Sequence, residues 1–141
     1  MDQYNRILFV CDGGTSRAPM AVGIFRDFTL KRPVEVESRG LVVLFPEPIN
    51  QKAEAVLISN GVALNDFMST QLTEEDFTPD TLILTMEYIQ REKVLEKYEN
   101  VIPENHNNTI KRLILIFFRN SICFICKILF MCYHPAFYST A

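Results

Sequence analysis

Hydrophobic and polar positions in the first forty residues follow the pattern of a strand, a helix and a second strand. A continuous apolar run over residues 6–11 (RILFVC) ends at small and polar residues, as a buried parallel strand entering a turn does. From Pro19 the apolar residues recur at helical spacing, which predicts a helix whose first turn contains that proline. Residues 34–38 (VEVES) alternate as a strand does. These three elements form a strand-helix-strand unit, which pairs its two strands in parallel.

The same alternation of strand and helix continues further along the chain. The pattern predicts a helix over residues 48–60 that ends before Gly61, a buried strand over 80–86 (DTLILTM), and a charged amphipathic helix over 87–98. Residues 62–73 have no clear periodicity. Together these elements indicate an α/β fold with a doubly wound parallel sheet and flanking helices, in which ligands bind at the carboxyl ends of the strands.

Length and charge narrow the class of protein. The chain has 141 residues, of which 48% are hydrophobic and 22% are charged, as in one ordinary globular domain. Its net charge of −3 and the lack of a basic stripe in the first 104 residues predict no nucleic-acid partner. The N-terminus begins with an acidic residue, and the apolar run at 7–11 is too short for a signal-peptide core. We therefore expect a cytoplasmic protein.

Acidic residues stop abruptly before the last quarter of the chain. All 17 Asp and Glu residues lie at or before Glu104, so residues 1–104 carry a net charge of −7 and residues 105–141 carry one of +4. This break predicts an α/β domain over 1–104 and an atypical apolar tail over 105–141, which can supply the last strand, at residues 113–118 (LILIFF), and the last helix of the same domain. A membrane span in the tail is disfavoured by its charged residues, which cost about 2.5–3.5 kcal/mol each at the centre of a span.

The cysteines do not form a disulfide scaffold. Cys11 stands alone at the end of the first strand, and its isolation indicates a reactive role. The other cysteines lie in the tail and are better explained as small apolar side chains than as a redox or metal site: Cys123, Cys126 and Cys132. We expect neither a metal ion nor another cofactor.

Residues 11–17 (CDGGTSR), which we call the phosphate loop, carry the clearest chemical signal. Small residues between a strand and a helix let successive backbone N–H groups converge on one anion, and the helix adds its positive end. The same field stabilises the thiolate of Cys11, which becomes the candidate nucleophile. Arg17 is planar and always charged, so it can grip two phosphoryl oxygens. The predicted phosphate-binding residues are Asp12, Gly13, Gly14, Thr15, Ser16 and Arg17.

Residues 10–20 (VCDGGTSRAPM) resemble the phosphate loop of the low-molecular-weight protein tyrosine phosphatases. That family's pattern reads cysteine, any residue, glycine, asparagine, any residue, cysteine, arginine, serine, proline, and four positions match it: Cys11, Gly13, Arg17 and Pro19. Similarity also covers residues 38–40 (SRG), 69–73 (STQLT) and 82–87 (LILTME), and so spans roughly residues 1–104. The resemblance implies a four-stranded parallel sheet and two-step hydrolysis through a cysteinyl-phosphate, without metal.

The chain departs from this family in ways that bear on activity. Gly14 and Ala18 stand where the family usually has asparagine and serine, so the resemblance implies less hydrogen-bonding support for the thiolate. Ser16 stands where the family has a second cysteine, so Cys11 lacks a neighbouring thiol that could trap its oxidised form as a disulfide. The family's general acid lies in an Asp-Pro-Tyr loop near the C-terminus, whereas no acidic residue follows Glu104 here. Substitute acids for protonating the leaving group are Asp12, Asp66 and the cluster at residues 74–76.

Several functions are compatible with these features. The leading prediction is a cysteine-dependent phosphatase that acts on phosphotyrosine in proteins or on small aryl phosphates, and that also binds phosphate-like anions. A second is a catalytically weak phosphate- or phosphoprotein-binding pseudophosphatase, because the loop is kept while the acid is absent. Thr15 occupies the position at which family members specialised for phosphoarginine carry threonine, which keeps a phosphoarginine phosphatase open. Arsenate reduction would need further thiols with a route to Cys11.

Overall fold

The computed structural model describes residues 4–26, 33–102 and 110–112. The described residues contain four strands, three α-helices and one 3₁₀ turn. The strands are β1 (Arg6–Cys11), β2 (Glu35–Gly40), β3 (Thr81–Thr85) and β4 (Ile110–Arg112). The helices are α1 (Arg17–Arg26), α2 (Gln51–Ser59) and α3 (Tyr88–Lys97), and the 3₁₀ turn is Glu74–Asp76.

The strands form one parallel sheet in the order β2-β1-β3-β4. The register aligns the carboxyl ends of the three longer strands: Cys11 lies opposite Gly40 of β2, and Val10 lies opposite Thr85 of β3. This architecture confirms the predicted α/β fold with a parallel sheet. The fourth strand lies just before the predicted segment 113–118, which falls outside the described residues. The division of the chain at residue 104 stays a prediction.

Apolar side chains cover both faces of the sheet, because successive strand residues point to opposite sides. On one face, Ile7, Phe9 and Cys11 of β1 pack with α1, where the Phe9 and Phe25 rings meet edge to face at 5.8 Å. On the other face, Leu8 and Val10 pack with Val94 of α3 and with Tyr98, the residue that follows this helix. A smaller cluster joins α2 to the outer side of α1. The sheet is thus enclosed by helices on both sides.

The predicted helices occur with shifted ends. Helix α1 begins at Arg17, two residues before Pro19, so the proline lies in the first turn where its missing N–H is tolerated. Helix α2 begins at Gln51 rather than 48, because Asn50 caps it by accepting a hydrogen bond from the Lys52 N–H at 3.0 Å. Gly61 follows it at a φ of +76°, as predicted for a glycine just beyond a helix end.

A network of charged side chains joins β1, β2 and the 3₁₀ turn. Arg6 contacts Glu37 at 2.5 Å and Asp76 at 3.1 Å, and Arg39 contacts Asp76 at 3.2 Å. Burial works to raise the pKa of Glu37, but the hydrogen bond from Arg6 and the charges of Arg39 and Arg6 lower it overall. The network ties the 3₁₀ turn to the sheet.

Among the residues that the structure describes, no helix combines the length and the apolar character needed to cross a membrane.

Candidate active site

The phosphate loop lies at the carboxyl end of β1. Cys11 is the last residue of the strand and is buried, with 3% of its surface exposed. Residues 12–16 form the turn, and Arg17 begins α1, so that the N-terminus of this helix lies beside the loop. Sequence and structure therefore agree on the order strand, small-residue loop, helix, which directs the positive end of the helix dipole to the loop.

Two glycines allow the loop to pack directly on the end of β2. Gly14 has a φ of +70°, and a Cβ added to it would lie 2.9 Å from the backbone nitrogen of Gly40. A Cβ added to Gly40 would in turn lie 2.9 Å from the carbonyl carbon and oxygen of Gly13. Neither contact can relax by turning a side chain, because the opposing atoms are backbone. Small residues are therefore required on both sides of this contact.

Neighbouring segments hold the loop through its carbonyl groups. The N–H groups of Leu41 and Val42 donate to the carbonyls of Cys11 and Asp12 at 2.9 and 3.0 Å, and the Asn50 N–H donates to the Thr15 carbonyl at 2.8 Å. Because the carbonyls are bound from outside, they point away from the centre of the loop. In the described part of the chain, the N–H groups of residues 13–16 donate to no backbone or side-chain acceptor. These N–H groups are left for an anion.

Residues 69–73, which the resemblance singled out, support this end of the sheet. Gln71 forms a parallel bridge with Gly40, and its side chain makes two hydrogen bonds of 2.6 Å: it donates to the Leu41 carbonyl and accepts from the Val43 N–H. The segment therefore holds residues 41–43 in place, and Leu41 and Val42 in turn bind the phosphate loop.

Arg17, the predicted phosphate clamp, contacts two carboxylates. It forms an ion pair with Glu87, the residue that caps the N-terminus of α3, and its Nη2 lies 3.2 Å from Asp12 Oδ2. Asp12 also accepts a hydrogen bond of 2.7 Å from Gln90 Nε2, and its other oxygen lies 3.5 Å from Lys93 Nζ. The side chain of Arg17 is 38% exposed, so solvent and an entering anion can reach it.

The structure separates the three candidate substitutes for the general acid. Partial burial works to raise the pKa of Asp12, but the hydrogen bond from Gln90 and the charges of Lys93 and Arg17 lower it below its usual value, so Asp12 is ionised and poorly suited to donate a proton. Asp76 is buried in the ion-pair network of β2. Asp66 is exposed and lines a cavity of about 290 Å³ between α1 and residues 64–70, where it makes no hydrogen bond to the phosphate loop.

Glu87 and Gln90 are site residues that the sequence did not reveal. In the sequence, Glu87 ends the LILTME stretch and begins the predicted helix over 87–98, and Gln90 carries no signal of its own. The parallel register could have pointed to both, because residues just after β3 must lie near residues just after β1. Among the described residues, no group of three or more acidic, histidine or cysteine side chains is placed to hold a metal ion.

A buried cysteine at a strand end, a loop of small residues and an arginine at the start of the following helix stand together on a parallel α/β fold. The chain belongs to the low molecular weight phosphotyrosine protein phosphatase family, whose sequence model matches residues 6–114. The match extends ten residues beyond the end of the resemblance at residue 104 and includes β4.

Known proteins of this family resemble the chain over part of their length. It is 33% identical over 89 residues to the low molecular weight protein-tyrosine-phosphatase PtpB of Staphylococcus aureus, a match that covers 63% of this chain and 61% of that protein. It is 32% identical over 104 residues to a protein-arginine-phosphatase of Geobacillus stearothermophilus, covering 74% and 66%. The crystal structure of YfkJ from Bacillus subtilis has the same fold, with a TM-score of 0.68 at 24% identity, covering 77% of this chain and 69% of that one. The chain thus spans about three fifths of the length of the curated relative PtpB.

Proposed function

We propose that this chain is a cysteine-dependent phosphatase that hydrolyses phosphotyrosine in proteins. The observation that carries the proposal is the convergence of the Cys11 sulfur, the unpaired N–H groups of residues 13–16 and the Arg17 guanidinium at one end of the sheet. Each has a distinct task in phosphoryl transfer: attack on phosphorus, binding of the equatorial oxygens, and neutralisation of the charge on them.

In the first step the Cys11 thiolate attacks phosphorus, so that a sulfur–phosphorus bond forms as the bond from phosphorus to the aryl oxygen breaks. The electron pair of the broken bond leaves with the phenolate, which then takes up a proton. In the second step a water molecule attacks phosphorus, loses a proton to solvent, and displaces the thiolate as inorganic phosphate is released. Backbone N–H groups and Arg17 hold the phosphoryl oxygens throughout, and no metal ion takes part in this proposal.

Protonation of the leaving group sets the expected substrate range. The two carboxylates that contact Arg17, Asp12 and Glu87, are held by cations, and Asp12 has a lowered pKa. Without a protonated acid in place, hydrolysis depends on how well the leaving group carries negative charge, because general acid catalysis typically supplies about 10²–10⁴-fold in rate. We therefore expect p-nitrophenyl phosphate to be hydrolysed much faster than phenyl phosphate.

Exposed apolar side chains next to the loop support an aromatic substrate. The segment that binds the loop through Leu41 and Val42 continues into Leu44 and Phe45, which are 82% and 74% exposed. Single exposed apolar residues are normal on protein surfaces, whereas a group of them indicates an interaction site. Leu44 and Phe45 offer such an apolar group a few residues from the segment that binds the phosphate loop.

Hydrolysis of p-nitrophenyl phosphate by the purified chain tests the proposal. Cys11→Ser should abolish turnover, and Arg17→Lys should lower kcat/KM by about 10²–10³-fold, since lysine cannot grip two oxygens with a planar fork. Arg26→Lys is the matched control at the other end of α1, where the arginine donates to the Val36 carbonyl, and it should stay within about twofold of wild type. Turnover that survives Cys11→Ser would overturn the mechanism.

The pseudophosphatase reading makes the opposite prediction in the same assay. In that case the wild-type chain shows no Cys11-dependent turnover, while orthovanadate or inorganic phosphate still binds and protects Cys11 from alkylation by iodoacetate. The outcome would replace catalysis by phosphate recognition as the function of the loop.

A phosphoarginine substrate is the second candidate, because the chain carries Thr15 in the loop and is 32% identical to a protein named as an arginine phosphatase. Matched peptides bearing phosphotyrosine or phosphoarginine at one position decide between the two substrates by their kcat/KM ratio. A higher value for phosphoarginine would overturn the phosphotyrosine assignment and leave the chemistry at Cys11 unchanged.

We further propose that the substrates are cytoplasmic phosphoproteins. The support is chemical: a nucleophilic thiol such as Cys11 is active only while reduced, and the cytoplasm keeps thiols reduced. Cell fractionation with an antibody to the chain tests this location, and recovery of the protein in an oxidising compartment would contradict it.

A further inference from the structure

Gln90 connects the start of α3 to the phosphate loop. Its side chain is fully buried, and its Oε1 accepts hydrogen bonds of 3.1 Å from the N–H groups of both Met86 and Glu87. Because a carbonyl oxygen accepts and an amide nitrogen donates, these two bonds fix which way the amide faces. The Nε2 group is therefore directed at Asp12, to which it donates at 2.7 Å.

The oxygen that Gln90 binds is the one that contacts Arg17. Asp12 Oδ2 accepts from Gln90 Nε2 at 2.7 Å and from Arg17 Nη2 at 3.2 Å, so the three side chains form one chain of hydrogen bonds. Lys93 approaches only the other oxygen, Oδ1, at 3.5 Å. The Asp12 carboxylate is thus anchored on its buried side by an immobile amide and presents a fixed acceptor to Arg17 on its exposed side.

We propose that Gln90 is a positioning residue, which sets the orientation of the Arg17 guanidinium through Asp12. This inference rests on the proposed function in one respect, the assignment of Arg17 as the phosphate clamp. An arginine side chain has many rotamers, whereas two-point binding of phosphoryl oxygens requires one orientation of its planar head. Fixing Asp12 in place reduces the orientations that Arg17 samples before an anion enters.

A purely structural role for Gln90 would depend on its Oε1 atom and not on Nε2. Oε1 accepts from the N–H groups of Met86 and Glu87, just before α3, and these two bonds do not depend on Asp12. The bond from Nε2 instead joins residues 78 positions apart in the chain and ends in the phosphate loop. The two roles therefore predict different behaviour when Asp12 is removed.

A double-mutant cycle on the full chain separates them. Gln90→Met is made in the wild-type chain and in Asp12→Ala, and phosphate affinity is measured as protection of Cys11 from iodoacetate by inorganic phosphate. We expect Gln90→Met to weaken phosphate binding about tenfold in the wild-type background and less than about twofold in Asp12→Ala, because the chain of bonds is already broken there. The loss of stability in urea should be similar in both backgrounds, since it arises from the Glu87 N–H, which loses its acceptor, whereas the Met86 N–H keeps the Val10 carbonyl.

Two further variants complete the test. Gln90→Leu also removes the amide donor and has a different apolar shape, so it repeats the cycle should Gln90→Met fail to fold. Glu96→Gln, at an exposed position of α3, is the matched surface control and should bind phosphate within about twofold of wild type. Equal weakening by Gln90→Met in both backgrounds would overturn the proposal.

Catalysis provides an independent readout. If wild-type turnover depends on Cys11, Gln90→Met should lower kcat more than it raises KM, because misorientation of Arg17 affects the transition state most. If the wild-type chain protects Cys11 with phosphate but shows no turnover, the proposed phosphatase activity is wrong while the phosphate-binding cycle still decides the role of Gln90. If phosphate gives the wild-type chain no protection, Arg17 is not a phosphate clamp and the positioning role is overturned with it.

Discussion

Adding one methyl group to Gly14 should destabilise the fold and disturb the phosphate loop together. At a φ of +70°, an alanine carries the cost of the left-handed conformation, about 1–2 kcal/mol. Its Cβ would also lie 2.9 Å from the Gly40 nitrogen and 3.1 Å from the Gly40 Cα, so the loop must move off β2, which adds the cost of overpacking, about 1–3 kcal/mol. We expect Gly14→Ala to lower the free energy of unfolding by about 2–5 kcal/mol.

Gly61 provides a matched control for the backbone cost alone. Its φ of +76° is almost the same, but a Cβ added to it meets no atom within 4 Å. Gly61→Ala should therefore lose only about 1–2 kcal/mol. The difference between the two variants measures the contact between the phosphate loop and Gly40.

Urea denaturation gives the two free energies of unfolding, and phosphate protection of Cys11 reports on the loop. Gly14→Ala should weaken phosphate binding at least tenfold, because shifted N–H groups no longer converge on the anion, whereas Gly61→Ala should bind as the wild-type chain does. Equal losses of stability in the two variants, or unchanged phosphate binding in Gly14→Ala, would refute the reasoning from the close contact.

Three other variants test the ion pairs, the helix cap and the core packing that support the site. Glu37→Gln should make the free energy of unfolding less dependent on pH in the acid range. Burial raises the pKa of Glu37, but the hydrogen bond from Arg6 and the charges of Arg39 and Arg6 lower it overall. The ionised Glu37 therefore stabilises the fold above its ordinary pKa, and this contribution is lost as the pH falls through the lowered pKa. Urea denaturation over a pH series measures it, and an unchanged pH slope would contradict it. Asn50→Ala should lower the free energy of unfolding, measured by thermal denaturation, by about 1 kcal/mol because it removes the cap of α2. An unchanged free energy of unfolding would show that this cap does not stabilise the helix. Phe9→Ala should cost about 3–5 kcal/mol in urea, since Phe9 is fully buried against Phe25, and a loss below about 2 kcal/mol would argue against that packing.

Local patterns predicted the elements that carry the site. The apolar run of β1, the small residues after it and the helical spacing that follows are each decided within a few neighbouring residues, so the order of strand, loop and helix could be predicted. The helix ends lie one to three residues from their predicted positions, because caps such as Asn50 compete with periodicity at a helix start. Residues 62–73 lacked a pattern because much of the segment is irregular and is held by side-chain bonds such as those of Gln71.

The positions of acidic residues in the sequence were less informative, because the role of a carboxylate depends on the side chains that surround it in the fold. The cluster at 74–76 was a candidate acid by composition, yet Asp76 is buried between Arg6 and Arg39, which come from two different strands. Asp12 was assigned to the loop for its backbone N–H, but its side chain proved to be the link between Gln90 and Arg17. Both outcomes depend on the direction of a side chain and not on its type.

Sequence pattern alone predicted a phosphate loop with Cys11 and Arg17 at its two ends, and the resemblance indicated the family. What holds that loop is visible only in the folded chain: Gly40 packs against it, and Glu87 and Gln90 lie beside it. The difference arises from distance along the chain. Backbone conformation follows from neighbouring residues, whereas the contact between Arg17 and Glu87 joins positions 70 residues apart and exists only because the parallel register of β1 and β3 brings their carboxyl ends together.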